Sequence, residues 1–218
     1  MVRNSYPILG EVYKPEDYCH INLAEGNEEF RLSVKFDPEL LGNHIKKYCR
    51  SKHSKIVYGG YKEKRFFYAF SPIFHAEKEI RNIHLGVDLW VESESAIHAP
   101  IEGIIYGFAN NNNPLDYGPT IIMFHPEINY FALYGHLSME SLKNKKINQS
   151  VSKSEIFARV GTSRENGGWP SHLHFQLIKD MSNYRHDYPG VSSESKASFF
   201  LQNCPDPTQI ALGFSDNL

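Results

Sequence analysis

Between residues 83 and 178 the chain alternates short apolar segments with loops rich in Gly, Pro, Asn and Ser. This spacing is typical of β-strands joined by turns, and a series of strands without helices between them predicts an antiparallel all-β core. The predicted strands are Ile83–Val91, Gly103–Phe108, Thr120–Phe124, Tyr130–Tyr134, Ile156–Val160 and Leu173–Ile178. We therefore expect a mainly β protein with a few helices in N- and C-terminal extensions.

The segment before this core has a different pattern. Apolar residues recur at helical spacing from Pro38 to about His53, and Asp37 is a suitable N-cap for that helix. Ile56–Tyr58 and Phe66–Phe70 then predict two strands around a glycine turn.

Beyond the core, helical spacing returns around Ser195–Gln202. No repeat or low-complexity linker divides the sequence. We expect an N-terminal elaboration packing on the core at residues 1–72, the core itself at 73–180, and a C-terminal extension at 181–218.

Composition restricts the kinds of molecule that the protein is expected to bind. The 218 residues include 23 Lys plus Arg and 25 Asp plus Glu, for a net charge of −2. Broad nucleic-acid binding requires a strongly basic face, so we expect no nucleic-acid partner, and the dispersed Lys and Arg side chains are expected on the solvated surface. Because no apolar run reaches the roughly 18–20 residues that cross a bilayer, we expect no membrane partner either.

Two features indicate the compartment. The N-terminal residues lack an apolar segment before a small-residue cleavage site, so no secretory signal is expected. The three cysteines Cys19, Cys49 and Cys204 are widely spaced and odd in number, which favours reduced thiols over a disulfide framework. Both features predict a cytoplasmic protein.

The 11 histidines include three suggestive groups. In the predicted strand around His84-Leu85-Gly86-Val87-Asp88, alternation puts His84 and Asp88 on one face, and Gly86 leaves space between them. His172 and His174 likewise share one face of another strand, and His136 follows a third.

This combination predicts a metal site. Imidazole and carboxylate groups are good zinc ligands, and a catalytic zinc site uses three protein ligands while the remaining histidines serve proton transfer. Each motif alone also fits a histidine packed against the core, so it is their co-occurrence that favours metal binding.

These residues, in this order, resemble the lysostaphin/LytM-type zinc metallopeptidases, which are peptidoglycan DD-metalloendopeptidase-like. The resemblance rests on His84-x-x-x-Asp88, Tyr134-x-His136-Leu137 and His172-Leu173-His174-Phe175, with supporting Ala99-Pro100-x-x-Gly103 and Val160-Gly161. It covers roughly residues 83–178 and implies a duplicated-hybrid-motif fold, an antiparallel β-sheet core whose loops wall a narrow groove.

The resemblance also implies roles for individual residues. His84, Asp88 and His174 are the implied ligands of one Zn²⁺ ion, and His136 and His172 the implied catalytic pair. In the implied reaction a metal-bound water attacks a peptide bond of the peptidoglycan type. One catalytic histidine assists proton transfer and the other stabilises the oxyanion, and the sequence does not assign these two roles between them.

A narrower resemblance concerns the segments 165–176, 204–207 and 58–61. They are similar to a subgroup of these domains that also occurs fused to kinase-like and class III aminotransferase domains. Membership of this subgroup would favour a substrate other than extracellular peptidoglycan. Substrate-binding candidates are Trp169 and Tyr134, although Trp169 equally fits a residue that packs its loop.

Three functions therefore compete. The first is a zinc endopeptidase or amidase acting on a peptide or peptidoglycan-like substrate. The second is a zinc hydrolase acting on a small cytosolic molecule. The third is a non-catalytic binding or scaffold module that retains a metal for stability. His98 is expected on the surface and His125 at a strand end, neither of them in the site. The sequence names no protein partner.

Overall fold

Strand pairing organises the chain around one large sheet. The computed structural model describes residues 5–28, 37–70, 72–75 and 79–213. The strands in these residues are β1 (Tyr18–Ile21), β2 (Ile56–Gly59), β3 (Ile83–His84), β4 (Val87–Trp90), β5 (Ala96–His98), β6 (Gly103–Asn111), β7 (Gly118–His125), β8 (Tyr130–Gly135), β9 (Ser150–Val151), β10 (Ile156–Arg159), β11 (His172–Ile178) and β12 (Val191–Ser192).

Within this described part, eight strands form the sheet in the order β1-β2-β4-β11-β8-β7-β6-β9. All neighbours pair antiparallel except β1 and β2, which are parallel. β5 pairs with β10 and β3 with β12 in two smaller sheets. The predicted mainly β fold with an antiparallel core is confirmed, and β2 joins the N-terminal segment to that core through β4.

β11 shows how the core positions the polar residues. The whole strand is buried. Leu173, Phe175 and Leu177 lie in the main apolar cluster with residues of β7 and β8. Because side chains alternate along a strand, His172 and His174 project from the opposite face. The apolar set holds the strand in place while the histidines face the other side of the sheet.

The helices of the described residues lie outside the sheet. They are α1 (Pro38–Ser51), α2 (Ala197–Asn203) and α3 (Thr208–Leu212). None of them combines the length and the apolar character that crossing a bilayer requires. The helix predicted near Ser195–Gln202 corresponds to α2 and is confirmed.

The N-terminal helix α1 follows its sequence signals closely. The Asp37 carboxylate accepts hydrogen bonds from the backbone N–H groups of Glu39 and Leu40, at 2.8 and 3.4 Å, and so caps the first turn. Leu41 and Ile45 are buried in one apolar cluster with the aromatic residues beside the site. The predicted helix is confirmed.

The predicted strand Phe66–Phe70 is wrong, because these residues form a 3₁₀ helix. In a strand, neighbouring side chains point to opposite faces. Here Phe67 and Tyr68 instead enter the same cluster, which also contains Trp169. Packing of consecutive aromatic rings on one side therefore overrides the β propensity of the segment.

The predicted strand Ile83–Val91 is present but interrupted. β3 pairs with β12, whereas β4 pairs with β2 and β11. The break falls at Leu85 and Gly86, where the chain passes from one sheet to the other. β1, β5, β9 and β12 have no counterpart among the predicted strands.

Candidate metal centre

Three side chains that are distant in sequence meet at one point. His84 lies on β3, Asp88 on β4 and His174 on β11, and all three are buried. Asp88 Oδ1 lies 3.3 Å from His84 Nε2 and 3.0 Å from His174 Nδ1, and the two nitrogens are 3.1 Å apart. Donor atoms of a tetrahedral zinc site with bonds of about 2.0–2.2 Å are about 3.3–3.6 Å apart. The donor triangle therefore fits a zinc ion to within a few tenths of an ångström.

Hydrogen bonds behind the two imidazoles orient them. His84 donates from Nδ1–H to the Gly60 carbonyl at 3.0 Å, which leaves its Nε2 lone pair facing the triangle. His174 donates from Nε2–H to Gln176 Oε1 at 3.0 Å, which leaves Nδ1 facing the same point. Such partners fix the tautomer and the ring orientation of metal-ligating histidines.

The carboxylate is held in the same manner. Asp88 Oδ2, the oxygen away from the triangle, accepts a hydrogen bond of 2.6 Å from Arg65 Nη1. Arg65 is 1% exposed, and its Nε–H also bonds to Glu63 Oε2 at 3.0 Å. The expectation that the basic residues lie on the solvated surface is wrong for Arg65, because two carboxylates pair with it inside the protein.

His136 and His172 form a second pair beside the triangle. Their ring centroids are 4.2 Å apart, and His172 Nε2 lies 3.8 Å from Asp88 Oδ1. His136 donates from Nδ1–H to the Asn166 carbonyl, and His172 from Nδ1–H to the Pro170 carbonyl. Each imidazole therefore keeps an Nε2 lone pair that can accept a proton.

His136 is held in an unusual backbone conformation. Its φ of +61° lies in the left-handed region, which side chains other than glycine rarely adopt. The backbone on both sides is fixed, since His136 N–H donates to the Tyr117 carbonyl and its own carbonyl accepts from Gly161 N–H. Strain of this kind persists where surrounding contacts determine the conformation, as they do at many active sites.

The electrostatics favour neutral imidazoles and an ionised carboxylate. Burial lowers the pKa of His84 to about 4 and also lowers the pKa of His172. Burial and the neighbouring His172 hold the pKa of His136 well below its ordinary value. Burial alone would raise the pKa of Asp88, but the interactions with His84 and with the Arg65 guanidinium outweigh it and hold that pKa well below its usual range. These are the protonation states that bind a metal ion and accept a proton.

A cavity of about 350 Å³ opens onto all five predicted metal and catalytic residues. Its walls come from three parts of the chain. Aromatic side chains from before residue 82, including Phe67, Tyr68 and Phe74, form one wall, and residues 187–191 form another. Trp90, Tyr117 and Trp169 also line the cavity.

The structure separates the two predicted substrate-binding residues. Trp169 lines the cavity, while its ring also packs edge-on against Phe67 and Tyr68. Tyr134 is fully buried in the main core, and its hydroxyl bonds to His125 Nε2 at 3.2 Å. Tyr134 therefore lies outside the cavity lining, because strand alternation points its ring into the main core.

The remaining histidines singled out in the sequence lie elsewhere. His125 is at the end of β7, as predicted, and is held by Tyr134. His98 is half-buried on β5 and bonds through Nδ1 to the Ser154 carbonyl, away from the cavity. Neither contributes to the site.

Sequence reasoning missed two residues that orient the ligands. Gln176 lies two positions after His174 on the same strand face, so alternation was a usable signal for it. Arg65 had no such signal, because its contact with Asp88 spans unrelated segments of the chain.

Comparison with known proteins identifies the family to which the site-bearing segment belongs. The profile of Peptidase family M23 matches residues 82–186. Residues 82–186 belong to peptidase family M23. This M23 domain contains every residue of the donor triangle and of the His136–His172 pair, which makes it a metallo-endopeptidase-like hydrolase domain.

Several solved structures of peptidases resemble this chain. The catalytic domain of the antimicrobial peptidase lysostaphin from Staphylococcus simulans is 21% identical, with a TM-score of 0.39 over 55% of this chain and 80% of that one. The catalytic domain of the prophage-encoded M23 protein EnpA from Enterococcus faecalis, as an A109H mutant, is 24% identical, with a TM-score of 0.39 over 49% and 76%.

A zinc-containing peptidase from Vibrio cholerae is 20% identical, with a TM-score of 0.37 over 54% of this chain and 31% of that one. No curated protein matches the chain.

Proposed function

We propose that this chain is a zinc-dependent metallopeptidase that hydrolyses a peptide bond of the peptidoglycan type. The observation that carries the proposal is the buried donor triangle of His84, Asp88 and His174, with two proton-accepting imidazoles beside it. A zinc ion held there would supply a Lewis acid that activates water and polarises a carbonyl.

His136 and His172 would carry out proton transfer and stabilise the oxyanion. The lone pairs of His136 Nε2 and His172 Nε2 are free, because each ring donates its Nδ1–H to a backbone carbonyl. One imidazole would take a proton during attack and return it to the leaving amine. The other would need a second proton, taken up from solvent on its Nε2, before it could donate a hydrogen bond to the developing oxyanion.

The surroundings of His136 and His172 exclude water and hold both imidazoles in place. Both rings are buried, so they meet the substrate in a site from which most water is excluded. Their backbone partners belong to the 163–171 loop, which lies against the cavity through Trp169. Substrate in the cavity would contact this loop on one side and the aromatic wall on the other.

The test combines metal analysis with hydrolysis. The purified chain is expected to hold one zinc ion, to cleave short glycine- or D-amino-acid-containing peptides or purified peptidoglycan, and to lose activity on chelation. His136→Ala should lower kcat/KM by roughly 10²–10⁴-fold while zinc is retained. His20→Ala, which changes an exposed histidine on β1, is the matched control and should leave activity unchanged.

A chain that binds zinc but cleaves no peptide, or whose activity survives His136→Ala, would contradict the proposal.

The cavity supports a second candidate, a zinc hydrolase acting on a small molecule in the cytoplasm. Its volume of about 350 Å³ is near the lower end of small-molecule sites. Residues on both sides of the M23 domain wall it, which restricts the space for a polymer. All three cysteines are free thiols, as is typical of cytoplasmic proteins. Chelator-sensitive turnover of a metabolite mixture, with no cleavage of peptidoglycan, would favour this candidate.

A further inference from the structure

The turn at residues 60–65 lies outside the M23 domain but runs along the strand that carries His84. Lys62 N–H donates to the His84 carbonyl, and His84 N–H donates to the Glu63 carbonyl, both at 2.9 Å. Arg65 N–H then donates to the Asn82 carbonyl at 2.8 Å. This backbone ladder brings the turn against the candidate metal centre.

The turn contacts two of the three proposed ligands from behind. The Gly60 carbonyl accepts the Nδ1–H of His84, and Arg65 Nη1 donates to Asp88 Oδ2. The ion pair between Arg65 and Asp88 is almost entirely buried, with side-chain exposures of 1% and 3%. A segment outside the family match therefore sets the surroundings of the M23 ligands.

Neighbouring groups hold the Arg65 guanidinium through its Nε and Nη1 atoms. Glu63 Oε2 accepts from its Nε, and Glu63 Oε1 in turn accepts from the Leu23 backbone N–H. The Tyr68 hydroxyl accepts from Nη1 at 3.2 Å. The rings of Phe67 and Trp90 lie 5.8 and 6.0 Å from the guanidinium carbon. Arg65 thus has one rigid position, and that position meets one oxygen of Asp88.

We propose that Arg65 is a positioning residue of the metal centre, which holds Asp88 Oδ2 so that only Oδ1 can bind the ion. A carboxylate binds metals through one or both oxygens, and zinc sites gain a coordination position when both are used. The guanidinium occupies Oδ2, so Asp88 supplies a single oxygen to the donor triangle. This inference rests on the proposed metal site and adds a residue from outside the M23 domain.

Substitutions in the 218-residue chain test the proposal, with Co²⁺ alone as the probe. The d–d absorption of bound Co²⁺ reports coordination number, since four-coordinate sites absorb more strongly than five- or six-coordinate ones. Arg65→Met removes the donors at similar side-chain length and should lower the molar absorption roughly twofold or more as Asp88 binds through both oxygens. Arg65→Lys keeps a cation near Oδ2 and should restore most of the intensity.

The matched control is Lys64→Met. Lys64 is the adjacent cation, and it pairs with Glu25 and Glu194 away from the site, so the Co²⁺ spectrum should match that of the unsubstituted chain. Circular dichroism of each metal-free variant separates a local change from unfolding. If Arg65→Met does not fold, Arg65→Gln, which is also neutral but polar, must show the same loss of absorption.

Folded Arg65→Met or Arg65→Gln protein with an unchanged spectrum would overturn the proposal, and so would the failure of both variants to fold with Co²⁺ present. Because no substrate is used, a chain that binds Co²⁺ but hydrolyses nothing contradicts the proposed function and leaves this inference standing. If the unsubstituted chain binds no Co²⁺, the metal site itself is wrong.

Discussion

At the scale of single residues, the site depends on which nitrogen of each histidine carries the proton. A hydrogen-bond acceptor behind each of four imidazoles settles this: the acceptors are three backbone carbonyls and the side-chain oxygen of Gln176. A side-chain substitution does not remove a backbone carbonyl. Of these four acceptors, therefore, the Gln176 oxygen is the one that a mutation can remove.

Gln176→Leu should weaken zinc binding by about 10–100-fold, because His174 loses the acceptor that keeps its Nδ1 lone pair on the ion. Competition with a chromophoric chelator measures this affinity. His20→Ala, which changes an exposed side chain on β1, serves as the control, with an affinity close to that of the unsubstituted chain. Equal affinity for the Leu variant would show that core packing alone orients His174.

Acid should destabilise the metal-free protein through buried neutral histidines. His84 has an ordinary pKa of 6.5 and a folded-state pKa of about 4, because burial disfavours its charged form. Between pH 6.5 and about 4, His84 is protonated in the unfolded chain but not in the folded chain. The free energy of unfolding therefore falls as the pH drops toward 4. Denaturant unfolding at several pH values measures the slope, and His84→Gln should make it shallower across this window. An unchanged slope in the variant would contradict this account of His84.

At the scale of elements, close packing requires a glycine where the chain passes from β3 to β4. A Cβ atom on Gly86 would lie 2.6 Å from the Phe175 carbonyl oxygen and 2.7 Å from His174 Cε1. The sequence suggested that Gly86 leaves space between His84 and Asp88. The structure shows that the imidazole from β11 uses that space.

Gly86→Ala should therefore displace His174, weaken zinc binding, and lower the free energy of unfolding by roughly 1–3 kcal/mol through overpacking. Gly26→Ala is the matched control, since nothing lies within 4 Å of the Cβ it would add. Calorimetric zinc titration and thermal unfolding measure both effects. Normal zinc affinity in Gly86→Ala would mean that β11 can shift without cost to the site.

At the scale of the whole molecule, the proposed ligands come from β3, β4 and β11, which meet only in the folded chain. A metal that binds the folded state alone stabilises it, by about 2.7 kcal/mol when its free concentration is 100 times the Kd. Zinc should therefore raise the melting temperature of the chelator-treated protein.

His174→Ala should abolish most of this shift, because it removes one of the three donors. His20→Ala, which changes an exposed side chain of β1, should retain this shift in full. Differential scanning calorimetry with and without zinc gives both values. A zinc-induced shift that survives His174→Ala would place the stabilising ion elsewhere in the molecule.

Several features were readable from sequence because they depend on local periodicity. Alternation along β11 predicted that His172 and His174 share a face, and the Asp37–Pro38 pair predicted where α1 begins. Alternation and ligand chemistry also singled out His84 and Asp88, and His136 was noted at the end of a predicted strand. The resemblance to a family implied the individual roles of these residues. Each of these inferences uses residues close together in the chain or a recurring motif.

Tertiary structure decided the rest. The Arg65–Asp88 ion pair, the 3₁₀ helix at Phe66–Phe70 and the burial of Tyr134 all depend on which segments pack together. Local propensities do not contain that information, because burial and pairing are set by partners far away in sequence. The chain alone thus named the groups that would hold a metal, and the fold determined which other groups orient them.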